Sequence, residues 1–165
     1  MGKAARVLCL TGDFDNEVMW GTYADNHQGY VLGFTAASVD SPFHEARPVA
    51  YSVDAPIVGS GLDFLLYGDS PELRKRTVEA VCYTKKQSWS YELEWRLITW
   101  RHGEVDALYG DYIFHPEELM SATFGVRAKH ELIQSVRTIA QKQYPDLAFY
   151  RMTHHNGELR REPIA

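Results

Sequence analysis

The run Ser88–Trp100, S-W-S-Y-E-L-E-W-R-L-I-T-W, sets Glu92, Glu94 and Arg96 at alternate positions. On an extended strand such residues point to one side, about 7 Å apart. In a cleft, two carboxylates at that spacing raise each other's proton affinity unless a cation compensates, and Arg96 or Lys85 can do so. Such a set could recognise a polar ligand or steady a positive charge that develops during a reaction. Two readings are open. A solvated strand face would be an ion network worth under about 1 kcal/mol. A rigid polar platform is the other, and the adjoining Trp89 and Tyr91 favour it, since Trp and Tyr commonly wall ligand pockets. Period two sends Leu93, Trp95 and Leu97 to the opposite side, as core.

The elements that must hold these residues read as α+β. Strands are predicted over 7–10, 30–34, 48–53, 89–100, 112–114, 120–126, 147–152 and 159–164. Helices are predicted over 16–25, 71–83 and 128–143, the second opened by Ser70-Pro71 and the third amphipathic. Asn156-Gly157 signals a hairpin at the end of the chain. Trp20 and Tyr23 fall three apart, on one stripe of the first helix. Strands and helices do not alternate strictly, so a mixed or antiparallel sheet flanked by helices is expected, in a single domain over 1–165. The expected core includes Leu8, Leu10, Val31, Leu93, Trp95, Leu97, Phe124, Val126, Leu132, Val136 and Ile139.

Composition excludes several classes. The chain has 165 residues, 45% of them hydrophobic and 24% charged, with a formal net charge of −5. No global basic field draws it to nucleic acid or a membrane. There is no run near 18 apolar residues and no signal-peptide pattern at the start, so a cytoplasmic location is expected. Cys9 and Cys82 lie in apolar runs and read as buried free thiols. The histidines show no metal-ligand spacing, and no phosphate-cradling glycine loop or nucleophile elbow occurs. No metal and no certain cofactor is expected.

Three stretches carry a resemblance: M-W-G-T-Y-A-D-N-H-Q-G-Y-V-L-G-F (Met19 to Phe34), V-A-Y-S-V, and K-K-Q-S-W-S-Y-E-L-E-W-R-L-I. Their order and residues resemble the bacterial family known as domain of unknown function 2971. That family shows a Met-Trp-x-x-Tyr-Ala segment, a Gly-hydrophobic strand ending in Phe, and a Lys-x-x-x-Trp-x-Tyr-Glu-x-Glu-Trp-Arg block. Lys85 stands at the lysine position. The likeness continues more weakly through F-H-P-E-E-L and S-A-T-F-G-V. Family members usually begin with a further segment carrying an Asn-Asp-Pro-Phe-like motif, and this chain starts after that point.

A more distant likeness is to ADP-ribosyltransferase-like domains, in which a split β-sheet holds NAD and a strand glutamate is the key acid. That likeness implies NAD as substrate and Glu94 or Glu92 as the catalytic carboxylate beside the ribose, where cleavage builds oxocarbenium character. It implies Arg96 or Lys85 on the pyrophosphate and Trp20 or Tyr23 stacked on nicotinamide or adenine. Trp89 and Tyr91 would line the same cleft. The competing reading is a non-catalytic module that senses a small molecule or binds a protein, with the tryptophans chiefly in the core.

Overall fold

Helices begin where a short polar side chain can accept an orphan backbone N–H. Asn16 accepts from the N–H groups of Val18 and Met19. Ser60 accepts from Asp63, whose carboxylate returns to the Ser60 N–H in a capping box. Ser70 accepts from Leu73, with Pro71 supplying the preset φ of a first helical position. The computed structural model describes residues 3–68, 70–102, 110–111 and 113–164.

Along the chain run β1 (Lys3–Thr11), α1 (Glu17–Tyr23), β2 (Tyr30–Phe34), β3 (Arg47–Pro48) and β4 (Ala50–Ser52). Next come α2 (Gly61–Tyr67), α3 (Pro71–Cys82), β5 (Thr84–Lys86) and β6 (Glu94–His102). Then follow β7 (Leu119–Phe124), α4 (His130–Gln143), β8 (Ala148–His155) and β9 (Glu158–Pro163). Short 3-10 turns occupy Pro42–Glu45, Gln87–Glu92 and Pro116–Glu118. Helices and mixed or antiparallel sheets coexist, which is an α+β fold.

The chain forms two compact units, Met1–Gly12 with Glu45–Asp111, and Asp13–His44 with Tyr112–Ala165. In the first, β6 pairs antiparallel with β1 on one side and β3 on the other. A separate parallel pair joins β4 to β5. In the second, the order is β2-β7-β8-β9, with β7 and β8 parallel across the α4 connection and the other pairs antiparallel. Its core gathers Trp20, Ala24, Met152 and Leu159 in one cluster. Leu119, Ala122, Ala140 and Leu147 form another, and Phe124, Ala128 and Ile133 a third.

The second unit also holds a local constraint. Asp25, Asn26 and His27 are all left-handed, with φ of 48°, 52° and 65°. This run brings the His27 carbonyl onto the β7 exit, where it accepts the Arg127 N–H. A Cβ at Gly125 would lie 2.1 Å from that oxygen, so only glycine fits.

Several expectations are corrected. The predicted strand over 89–100 starts only at Glu94, because residues 87–92 wind into a 3-10 turn closed by left-handed Leu93 (φ 44°). Leu93 and Trp95 are therefore exposed rather than core, while Glu92 and Glu94 are buried. Leu8 and Ile139 are also exposed. Leu10, Val31, Val126, Leu132 and Val136 are half-buried, and Leu97 and Phe124 are buried as expected. The strand over 48–53 breaks at Val49 into β3 and β4, which join different sheets. Ile113 and Phe114 form no strand, and Tyr112 lies outside the described residues. Cys9 is exposed, whereas Cys82 is buried; both are free.

Candidate functional site

Register decides which side chains meet. Across β1 and β6, Cys9 stands opposite Arg96 and Thr11 opposite Glu94, and cross-strand partners share a face. That face carries Cys9, Thr11, Glu94 and Arg96, while Leu10, Trp95 and Leu97 lie on the other. The alternation expected from the sequence is present from Glu94 onward. Its burial is partly inverted, because donors within the same unit cover the charged face.

Lys85, on β5, bridges the two carboxylates. Its Nζ donates to Glu92 and, at 3.0 Å, to Glu94 Oε2. Arg96 grips Glu94 with a two-pronged contact, Nε to Oε1 at 2.8 Å and Nη2 to Oε2 at 3.1 Å. Its third prong donates to the Cys82 carbonyl at 2.7 Å, tying the site to the end of α3. The Tyr51 hydroxyl accepts the Glu94 N–H at 2.8 Å, and Thr11 donates to the Glu92 carbonyl at 2.8 Å. The carboxylates of Glu92 and Glu94 are 3% and 7% exposed, against 23% for Lys85 and 15% for Arg96.

Burial works against charge on Glu94, but hydrogen bonds from Arg96, the Cys9 thiol and Lys85 outweigh it and hold the carboxyl at about 2. Partial burial likewise opposes charge on Lys85, and its bonds to Glu92 and Glu94 prevail, holding the ammonium above its usual range. The Glu94 contact lifts Arg96 further. Burial, then the Glu94 carboxylate, pushes the Cys9 thiol up, away from the thiolate that a nucleophile needs. Both carboxylates and both cations balance, so the cluster has no net charge. Glu94 takes two donors from Arg96 and one from Lys85, which engages both of its oxygens.

Beside this cluster the 3-10 turn holds Trp89 and Tyr91, with ring centroids 6.0 Å apart and planes tilted by 35°. The Lys85 ammonium lies 5.0 Å from the Trp89 ring centre, a cation–π distance. Trp89 is 39% exposed. The first unit thus brings together six of the eight candidate residues: Lys85, Trp89, Tyr91, Glu92, Glu94 and Arg96. Trp20 and Tyr23 belong to the second unit. There Trp20 is buried, donates Nε1–H to the Phe14 carbonyl at 2.7 Å and stacks on His27, while Tyr23 is exposed.

Residues 19–97 match the family model described as protein of unknown function, DUF2971. That segment, just under half of the chain, is similar to the DUF2971 family. The matched segment contains all eight candidate residues. No curated protein and no solved structure matches the chain.

Sequence reasoning missed Thr11, Tyr51 and Cys9 as partners of the cluster. Tyr51 had a signal in V-A-Y-S-V, but the long-range pairings that recruit Thr11 and Cys9 left none. It also missed Glu118, a fully buried carboxylate of the second unit. Burial opposes its charge, yet the Ser41 hydroxyl and the His115 and Ser38 N–H groups hold it below the usual range. Among the described residues no group of three or more His, Cys, Asp or Glu is arranged to hold a metal, and no helix is long and apolar enough to cross a membrane.

Proposed function

We propose that the first unit is a ligand-sensing module that binds a nucleotide-type small molecule beside Trp89 and leaves it intact. One observation carries this reading: both oxygens of the Glu94 carboxylate are already held by Arg96 and Lys85. A buried carboxylate so engaged is held in place by Arg96 and Lys85, which suits a rigid floor better than a catalytic group. The half-exposed Trp89–Tyr91 pair offers planar apolar surface to a nicotinamide or nucleobase ring. The neutral cluster supplies no excess positive charge for phosphate, so ring stacking would supply most of the affinity. The free thiols Cys9 and Cys82 suit a reducing compartment, and we place the protein in the cytoplasm on that ground.

Glu92 favours a second, catalytic reading. Lys85 holds it across from Glu94, so a ligand that drew Lys85 to its pyrophosphate would loosen a carboxylate next to the sugar, as an ADP-ribosyltransferase or NAD-glycohydrolase requires. Titration with NAD, ADP-ribose and ATP, followed by Trp fluorescence and paired with a nicotinamide-release assay, separates the two readings. The sensing module predicts saturable binding without release, lost in Trp89→Ala at unchanged melting temperature. Release of nicotinamide that Glu92→Gln or Glu94→Gln abolishes would establish the enzyme instead. Absence of binding by all three would end both readings.

A further inference from the structure

One face of Trp89 is already occupied, because the Lys85 ammonium lies over the ring, 5.0 Å from its centre. An indole carries negative π-density on both faces, and a cation on one face draws that density toward itself. The opposite face is left with less to offer a second cation. A neutral ring stacked there loses little, since its contact rests on dispersion and apolar area. A cationic ring forfeits the cation–π attraction and also meets the ammonium through the indole, about 8.5 Å away once a stacking contact is added. That distance is comparable with the Debye length of about 10 Å at 0.1 M salt, so screening leaves part of the repulsion in place. The turn that carries the ring does not offset it, because residues 87–91, Q-S-W-S-Y, hold no charge. Glu92 and Glu94 balance the cluster as a whole, but they are 3% and 7% exposed and engaged by Lys85 and Arg96. Lys85, at 23%, is the member that reaches the ring.

We propose that Lys85 makes the Trp89 site selective for a neutral nucleobase and against a cationic ring such as oxidised nicotinamide. This rests on the ligand-sensing reading of the first unit and gives its ligand class: a nucleoside or nucleotide held by its base. NAD would bind through its adenine. Phosphates would add little, because both cations of the cluster are committed to Glu92 and Glu94. Lys85 thus acts as a specificity-determining residue, setting the charge of the ring that Trp89 accepts.

Isothermal titration calorimetry of the full chain with a matched pair tests this. Oxidised and reduced nicotinamide mononucleotide share ribose and phosphate and differ in the charge of the ring; adenosine and AMP are titrated alongside. The reduced form should bind at least about tenfold more tightly than the oxidised one, and adenosine and AMP should agree within about threefold. The preference should shrink between about 20 and 500 mM salt. Lys85→Met removes the ammonium at similar length and should bring the ratio to one or reverse it; should that variant fold poorly, the salt series on the wild type decides. Equal binding of the two forms, or a preference for the oxidised one, would overturn the proposal and leave the Trp89 reading standing. A preference for the reduced form that high salt leaves unchanged would overturn it too, by showing that shape rather than charge decides. Binding of none of the four ligands would end the ligand-sensing reading itself, and this inference with it.

Discussion

Glu94→Gln removes one charge and almost no volume, so it isolates what the buried ion cluster contributes to the first unit. The Glu94 carboxyl sits at about 2, against an ordinary 4.5. At about 1.4 kcal/mol per pH unit, that gap bounds the contribution at roughly 3.5 kcal/mol. Lys85 and Arg96 are partly open to solvent, and screening lowers the expected loss to about 2 kcal/mol. The neutral amide also leaves Arg96 with half its grip, and Lys85 with Glu92 as its main carboxylate. The pH dependence has a fixed sign. A depressed carboxyl stabilises fully above its unfolded value and loses that contribution as pH falls through the folded one. Wild-type stability should therefore decline between about pH 4.5 and 2 in a component that Glu94→Gln lacks. Urea melts of both proteins at pH 7, 4 and 3 measure it, with the difference near 2 kcal/mol at pH 7 and shrinking toward acid. A difference below about 0.5 kcal/mol at pH 7, or one independent of pH, would refute the claim that this network is buried and coupled.

Other outcomes follow from single contacts. Trp20→Ala should cost about 3–5 kcal/mol in a denaturant melt, because the ring is 2% exposed and anchors Phe14 through its Nε1–H. Gly125→Ala places a methyl 2.1 Å from the His27 carbonyl and should destabilise by about 3 kcal/mol or more, read by thermal melting. Ser70→Ala, which removes the α3 cap, should cost about 1 kcal/mol by the same measurement. Trp89→Ala should leave the melting temperature within about 2 °C of wild type while removing nucleotide-induced fluorescence change.

Local rules determined much of this protein from its sequence. Caps placed α1 and α3 to within a residue or two, and Asn156-Gly157 turned the β8–β9 hairpin with left-handed φ of 53° and 85°. The α+β class followed from the irregular order of periodic segments. The ingredients of the candidate site were equally legible, since Glu92, Glu94, Arg96 and Lys85 lie close in the chain and their types announce ion pairing. Helix α2 was not legible: a short, mostly apolar stretch reads the same whether it is strand, helix or buried loop, and periodicity needs more length to separate them.

Tertiary structure decided everything that depends on residues far apart in sequence. Whether Glu94 or Trp95 is buried cannot be read from alternation, which assigns two faces but not which one is covered. At the Glu94 end of β6 the covered side is the charged one, because β1 brings Thr11 beside it and the α3–β5 corner brings the Cys82 carbonyl, which accepts from Arg96, and Lys85. Lys85 and Arg96 replace the water that the carboxylates would otherwise need, and without them the same residues would stand on a solvated edge. The left-handed turn at Leu93, which ends the 3-10 turn and turns Glu92 toward Lys85, depends on that long-range closure as well. Sequence fixes which groups can form an ion network; only the pairing of distant segments fixes whether water is excluded from it, and desolvation is what separates a surface pair from a buried one.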